Sequence, residues 1–456
     1  MQGHSIVRLS KMESTVIYSS FTVLFFLLLL LTTVSASSSS HPTPSFPKQA
    51  LPTKSGYLSV NHASKSAIFY TFYEAQNPTS PLSQTPLLIW LQGGPGCSSM
   101  IGNFFELGPW RVTKSLNLAP NPGSWNRIFG LLFLDSPIGT GFSVASNPSE
   151  IPRNQKSVAK HLFAAITEFI RLDPDFKFRP IYITGESYAG KYVPAIGYYI
   201  LHRNSRFNLA GVAIGDGLTH PVVQVATHAL NAYYVGLINE KQKNELEEVQ
   251  SEAIRLTKLG NWSEAVEART NALGLLRNMT GLATLYHYTR KSPYEDDLVT
   301  EFLKSKEVKK ALGANESIVF EACSDTVGEA MKEDKMKSVK HMVEYLVKKT
   351  RVLLYQGQFD LQDGVVQVEA WVRTMKWDGI EKYLNADRKI WKVNGEIAGY
   401  VQKWESLTNV VVLGAGHLLP SDQSVNSQAM IENWVLQKDL FGNGDYQQKD
   451  VLQRFI

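Results

Sequence analysis

The chain has 456 residues, enough for one large α/β domain with an insertion or for two to three smaller units. Hydrophobic residues make up 44% and charged residues 19%, which excludes a disordered chain, and a formal net charge of +4 is too small at this length to point to nucleic acid. The glycine-rich stretch at 93–99 lacks the Lys-Ser/Thr of a phosphate-binding loop and no metal motif occurs, so neither cofactor nor metal is expected.

Arg8 and Lys11 precede an apolar run from Val16 to Val34, and Val34-Ser35-Ala36 supplies small residues suited to cleavage. Residues 1–36 therefore read as a secretory signal, although the run also has the length of an uncleaved membrane anchor. Residues 37–49 read as a flexible leader rich in Ser and Pro, and after cleavage no membrane association is expected. Cys97 and Cys323 are the two cysteines; an oxidising compartment would allow one bridge, and two buried thiols are the alternative. Glycosylation sequons start at Asn261, Asn278 and Asn315, marking an exposed region and agreeing with the signal.

Next in the chain, alternating runs between Gly56 and Tyr73 predict antiparallel edge strands. Leu87 to Leu91 is a continuous apolar strand ending in Gly93-Gly94-Pro95-Gly96-Cys97-Ser98-Ser99, a loop whose backbone N–H groups are left uncovered at a position suited to stabilising an oxyanion. Leu131 to Leu134 predicts another buried strand, Ser157 to Leu172 an amphipathic helix, and Ile181 to Ile183 a strand that runs into Gly185-Glu186-Ser187-Tyr188-Ala189-Gly190. Small residues two before and two after Ser187 would let a strand turn abruptly into a helix and expose the hydroxyl. A further strand at Gly211 to Ile214 completes an alternation that builds a mostly parallel sheet covered on both faces.

From 218 to 320 the chain turns helical and polar, as in Asn239 to Leu259, and this stretch reads as a cap insertion between two parts of one core, 50–217 and 321–456. Strand patterns return at Arg351 to Tyr355 and Val410 to Leu413. A serine needs a base to take its proton and a carboxylate to orient that base. In chain order after Ser187, His417 stands just past a strand in a loop expected to be mobile through Gly414 and Gly416, and Asp360 and Asp363 both follow the earlier strand. Spacing alone leaves either aspartate as the acid, with the other a turn or cap residue.

Taken together, Trp90-Leu-Gln-Gly-Gly-Pro-Gly-Cys-Ser-Ser99, Gly185 to Gly190, Tyr355-Gln-Gly-Gln-Phe-Asp360 and Gly414-Ala-Gly-His-Leu-Leu-Pro420 closely resemble the serine carboxypeptidase family, particularly its plant members. The resemblance spans about residue 50 to the C-terminus and implies an α/β-hydrolase fold: a mostly parallel central sheet, helices on both faces and a mainly helical cap. It implies Ser187, Asp360 and His417 as the triad, Gly94 and Tyr188 as oxyanion donors, and Gln92, Gly93, Glu106 and Glu186 as the group that binds the substrate's terminal carboxylate. It also implies a Cys97–Cys323 disulfide and an extracellular or vacuolar enzyme that releases C-terminal residues from peptides, as a monomer or homodimer, with an acidic pH optimum because the two glutamates would share a proton. Family members that transfer acyl groups from glucose esters give a second expectation, and a non-catalytic binding protein a third. Three positions depart from the commonest pattern: Gln92 and Asp216, where asparagine is common, and Ala189.

Overall fold

Apolar runs too short to be helices become the strands of one ten-stranded sheet in the computed structural model, which describes residues 46–438 apart from 62 and 204–206. The predicted signal at 1–36 and most of the leader lie outside the described residues. In chain order the strands are β1 (Lys54–Ser59), β2 (Ala67–Tyr73), β3 (Leu87–Leu91), β4 (Trp110–Val112), β5 (Leu118–Pro120), β6 (Gly130–Leu134), β7 (Ile181–Glu186), β8 (Leu209–Gly215), β9 (Arg351–Gly357), β10 (Lys389–Val393), β11 (Glu396–Trp404) and β12 (Leu407–Val412). The sheet order is β1-β2-β6-β3-β7-β8-β9-β12-β11-β10, and β4 pairs with β5 in a separate ribbon. The stretch from β6 to β12 is parallel, while the pairs at both margins are antiparallel.

Every residue of β3, β6, β7 and β12 is buried, as strands covered on both faces require. Period-two alternation sends Ile89, Leu132, Ile183 and Val212 to one face and Leu88, Leu131, Phe133 and Tyr182 to the other. Helix α1 (Gln155–Arg171) starts where the Asn154 side chain accepts from Ser157 N–H, and it buries Val158, Leu162, Ile166 and Phe169 on the first face beside α2 (Ala189–His202). The hairpin of β10 and β11 has no counterpart among the predicted strands. Its burial pattern is broken because one face meets solvent, so Lys389, Lys392 and Lys403 interrupt the apolar signal.

Between β8 and β9 the chain is helical. Helices α3 (His228–Tyr234), α4 (Glu240–Leu259) and α5 (Trp262–Thr280) share a small cluster of their own that includes Ala232, Leu246, Ala272 and Leu276. Asn239 and Gln242 form a reciprocal cap at the start of α4. By contrast α6 (Asp297–Lys304) and α7 (Lys306–Leu312) put Val299, Phe302 and Val308 into the cluster that holds Trp90 and Phe133. Packing thus divides the stretch read as a single insertion. Helix α8 (Lys340–Leu346) and α9 (Val365–Val372) join the first face, and α10 (Ser424–Leu436) covers the second. No helix among the described residues is long and apolar enough to cross a membrane.

Candidate active site

The turn after β7 holds Ser187 at φ 60°, a left-handed conformation that a non-glycine residue adopts only when its surroundings impose it. Those surroundings are backbone bonds: Ser187 N–H donates to Gly215 O at 2.9 Å, and Gly190 and Leu218 N–H donate to Ser187 O at 2.9 and 3.0 Å. Helix α2 begins two residues later, so its positive end points at the serine. A side chain at Gly93 would put its Cβ 2.6 Å from Tyr188 N and 2.8 Å from Ser187 Cβ. Only glycine at 93 lets its loop lie against the turn carrying Ser187 and Tyr188. Ser187, His417, Gln92, Gly94 and Glu186 line one cavity of about 540 Å³.

His417 is buried in the loop after β12 and its Nδ1 lies 2.6 Å from Asp360 Oδ2. Its Nε2 is buried with no hydrogen-bond partner among the described residues, and the ring borders the cavity that Ser187 faces. Burial alone would lower the pKa of His417; the charge and hydrogen bond of Asp360, with help from Asp363 and Glu106, outweigh it and leave the ring more basic than a free imidazole. Asp363 is occupied elsewhere: its carboxylate accepts from Gln224 Nε2 at 3.0 Å and pairs with Arg269 at 3.3 Å. Of the two candidate acids, Asp360 is therefore the one on the imidazole. The loop of His417 is close-packed rather than mobile, because a Cβ on Gly416 would fall 2.2 Å from Tyr286 O.

Gln92, Glu106 and Glu186 meet in a buried cluster beside the serine. Gln92 Nε2 donates to Glu186 Oε1 at 2.8 Å and Glu106 Oε1 at 3.2 Å, while Gln92 Oε1 accepts from Trp90 Nε1 at 2.8 Å. The amide nitrogen aligns the two carboxyls while Trp90 holds the amide oxygen. Burial pushes Glu106 up to about 7, and burial followed by the charge of Glu106 raises Glu186 well above the usual carboxylate range. The remaining oxygens, Glu106 Oε2 and Glu186 Oε2, are buried without another partner among the described residues, a setting in which the two carboxyls would hold a proton between them.

Several contributors carried no readable signal in the sequence. Tyr286 stacks on His417, Arg111 donates to Glu106 O and Pro420 O, and Asp422 accepts from Gly416 N–H and Tyr294 Oη. Asp216, noted only as a departure from a common asparagine, lies against Asp360. From the helical region, Leu273, Arg277, Leu285 and Tyr294 line the same cavity. Cys97 and Cys323 form a disulfide, and beside it Ser98 N–H donates to Ala322 O and Ser324 N–H to Gly96 O, at 2.7 and 2.8 Å. Asn261, Asn278 and Asn315 are all exposed.

The sheet order, the abrupt serine turn after β7 and the imidazole loop after β12 are those of an α/β-hydrolase. The model of the serine carboxypeptidase family matches residues 42–437, and the chain belongs to that family; it is a serine-type carboxypeptidase. It is 58% identical over 409 residues to "Serine carboxypeptidase-like 50" of Arabidopsis thaliana, covering 89% of this chain and 92% of that one. The "Venom serine carboxypeptidase" of Apis mellifera is 36% identical over 390 residues, with 82% of each chain covered. Among solved structures, a prohormone-processing carboxypeptidase of Saccharomyces cerevisiae superposes with a TM-score of 0.77 at 26% identity, covering 86% of this chain and 93% of that one.

Proposed function

We propose that the enzyme removes C-terminal residues from peptides through an acyl-enzyme on Ser187. Ser187 Oγ attacks the scissile carbonyl, His417 Nε2 takes the proton and returns it to the leaving amine, and Asp360 orients the ring and offsets its developing charge. The N–H groups of Gly94 and Tyr188 receive the oxyanion. Water then repeats the sequence on the acyl-enzyme and frees the shortened peptide.

The observation that carries the exopeptidase assignment is Glu186, which lines the same cavity as Ser187 and His417 and is joined through Gln92 to the buried Glu106 behind it. With Gln92 and Gly93 beside it, the protonated pair can donate to a terminal carboxylate, an interaction that weakens from about pH 7, where Glu106 ionises and its charge opposes that of the substrate. The raised His417 sets the opposite limb, since a protonated ring accepts nothing from serine. The glutamate pair favours the acid side of neutrality, while the raised His417 works against a deeply acidic optimum.

A secretory route, extracellular or vacuolar, accords with the disulfide and the exposed sequon asparagines Asn261, Asn278 and Asn315, which we take as glycosylation sites. We take 218–320 as the cap, with α3–α5 packed mainly on one another and touching the core through Leu361 and Met336. The test is digestion of peptides with free and amidated C-termini between about pH 4 and 8, with Ser187→Ala as control. Residues should leave one at a time from free C-termini only. Acyl transfer from a glucose ester without any release of amino acids would replace this reading with that of a transferase.

A further inference from the structure

Given the triad proposed above, the group behind its aspartate becomes informative. Asp216 sits one residue past β8, fully buried, at φ 41°, a left-handed backbone that an aspartate holds only under constraint. Gly357 N–H donates to both of its oxygens, at 3.0 and 3.3 Å, and Asp216 N–H donates to Tyr355 O at 2.9 Å. One carboxylate oxygen each from Asp216 and Asp360 and one ring nitrogen of His417 lie within 4.8 Å of one another. Asp360 meanwhile accepts from His417 Nδ1, from Gln362 N–H at 2.7 Å and from Asp363 N–H at 3.3 Å. These three hydrogen-bond partners of that carboxylate are all donors, so an ionised Asp216 beside it would add a repulsive contact.

We propose that Asp216 is a positioning residue that stays in its carboxylic-acid form and donates a hydrogen bond to Asp360, fixing the carboxylate that orients His417. The titratable groups facing it are Glu186 from the end of β7, Tyr355 from β9, Asp360 from the loop after β9 and His417 from the loop after β12. Burial pushes the Asp216 carboxyl well above the usual range, the charges of Asp360 and Glu186 add to it, and the Gly357 amide opposes. In this form an acid serves as asparagine would, offering Asp360 a neutral donor, and the site keeps a single negative charge behind the imidazole.

The test follows covalent labelling of Ser187 by a fluorophosphonate, a probe with no terminal carboxylate and so independent of the Glu106 and Glu186 pair. Labelling rates are measured from about pH 4.5 to 8.5 for the wild type, Asp216→Asn and Asp216→Val, with a melting temperature for each. Asp216→Val should slow labelling about tenfold or more, and Asp216→Asn should recover most of that loss. The acid-limb midpoint, which reports His417, should agree between Asp216→Asn and the wild type within about 0.3 units. If Asp216 is ionised instead, Asp216→Asn removes a negative charge beside the ring and lowers that midpoint by about one unit or more, which overturns the proposal. Wild-type rates in Asp216→Val overturn it as well. If the folded wild type takes no label, the reading of Ser187 as nucleophile fails, and this proposal with it. Should Asp216→Val not fold, the midpoint comparison still decides.

Discussion

His417 lies flat on Tyr286, with ring centroids 4.3 Å apart and planes within 9°, and His417 N–H donates to Tyr286 O at 2.7 Å. The proposed base is thus held by a residue from the segment between β8 and β9, not by its own loop alone. Tyr286→Ala keeps the backbone bond and removes the ring. It should slow fluorophosphonate labelling of Ser187 by about tenfold, with Tyr286→Phe near the wild type. An unchanged rate in Tyr286→Ala would show that Asp360 orients the imidazole unaided.

Glu186→Gln should spare labelling of Ser187 but weaken peptide binding, most at higher pH. The amide has no proton to share, so once Glu106 ionises nothing in the pair donates to the substrate's carboxylate, whereas in the wild type Glu186, raised well above the usual carboxylate range, still does. Measured kcat/KM for a free-carboxylate peptide should therefore begin its alkaline fall earlier than in the wild type. The same fall at the same pH in both proteins would count against the carboxylate-binding assignment.

Stability should decline as the medium leaves the acid range. Burial raises Glu106 to about 7, Asp135 to about 6 and Asp363 to about 6, so between the ordinary carboxylate range and these values the folded chain binds more protons than the unfolded one. This contribution is complete below about pH 3 and lost as pH rises through the folded values, and His220 and His228, depressed by burial to about 4, offset part of it between about pH 4 and 6.5. The melting temperature should be higher at pH 5 than at pH 7.5, and the reverse order would sink the prediction.

Lys191 and Asp334 form a buried ion pair behind the serine turn. Asp334 also accepts from Tyr188 Oη at 2.6 Å and Gln155 Nε2 at 2.7 Å. Burial depresses Lys191 to about 8 despite the opposing charge of Asp334, so removing the partner leaves an ammonium with little to offset its desolvation. Asp334→Ala should cost about 3–5 kcal/mol, read from the urea midpoint. A loss below about 1 kcal/mol would mean that the pair contributes little beyond its hydrogen bonds.

The candidate positions for the chemistry were legible because their signals are local. A strand is an apolar run, the serine turn needs small residues around Ser187, and the loop at 93–99 needs glycines where backbone meets backbone. The order of serine, acids and histidine could be read in the same way. The β10–β11 hairpin escaped because solvent on one face breaks the apolar run. Spacing could not choose between Asp360 and Asp363, which differ only in what packs on them: His417 on one, Arg269 on the other. Nor could it show that the Gln92 amide is held by Trp90 and two glutamates, or that Asp216 and Tyr286 flank the proposed acid and base. Sequence alone determined which candidate residues this hydrolase offers for its chemistry. Tertiary structure decided which of them touch, because contacts between distant segments depend on sheet register and on how the helices between β8 and β9 close over the strand ends.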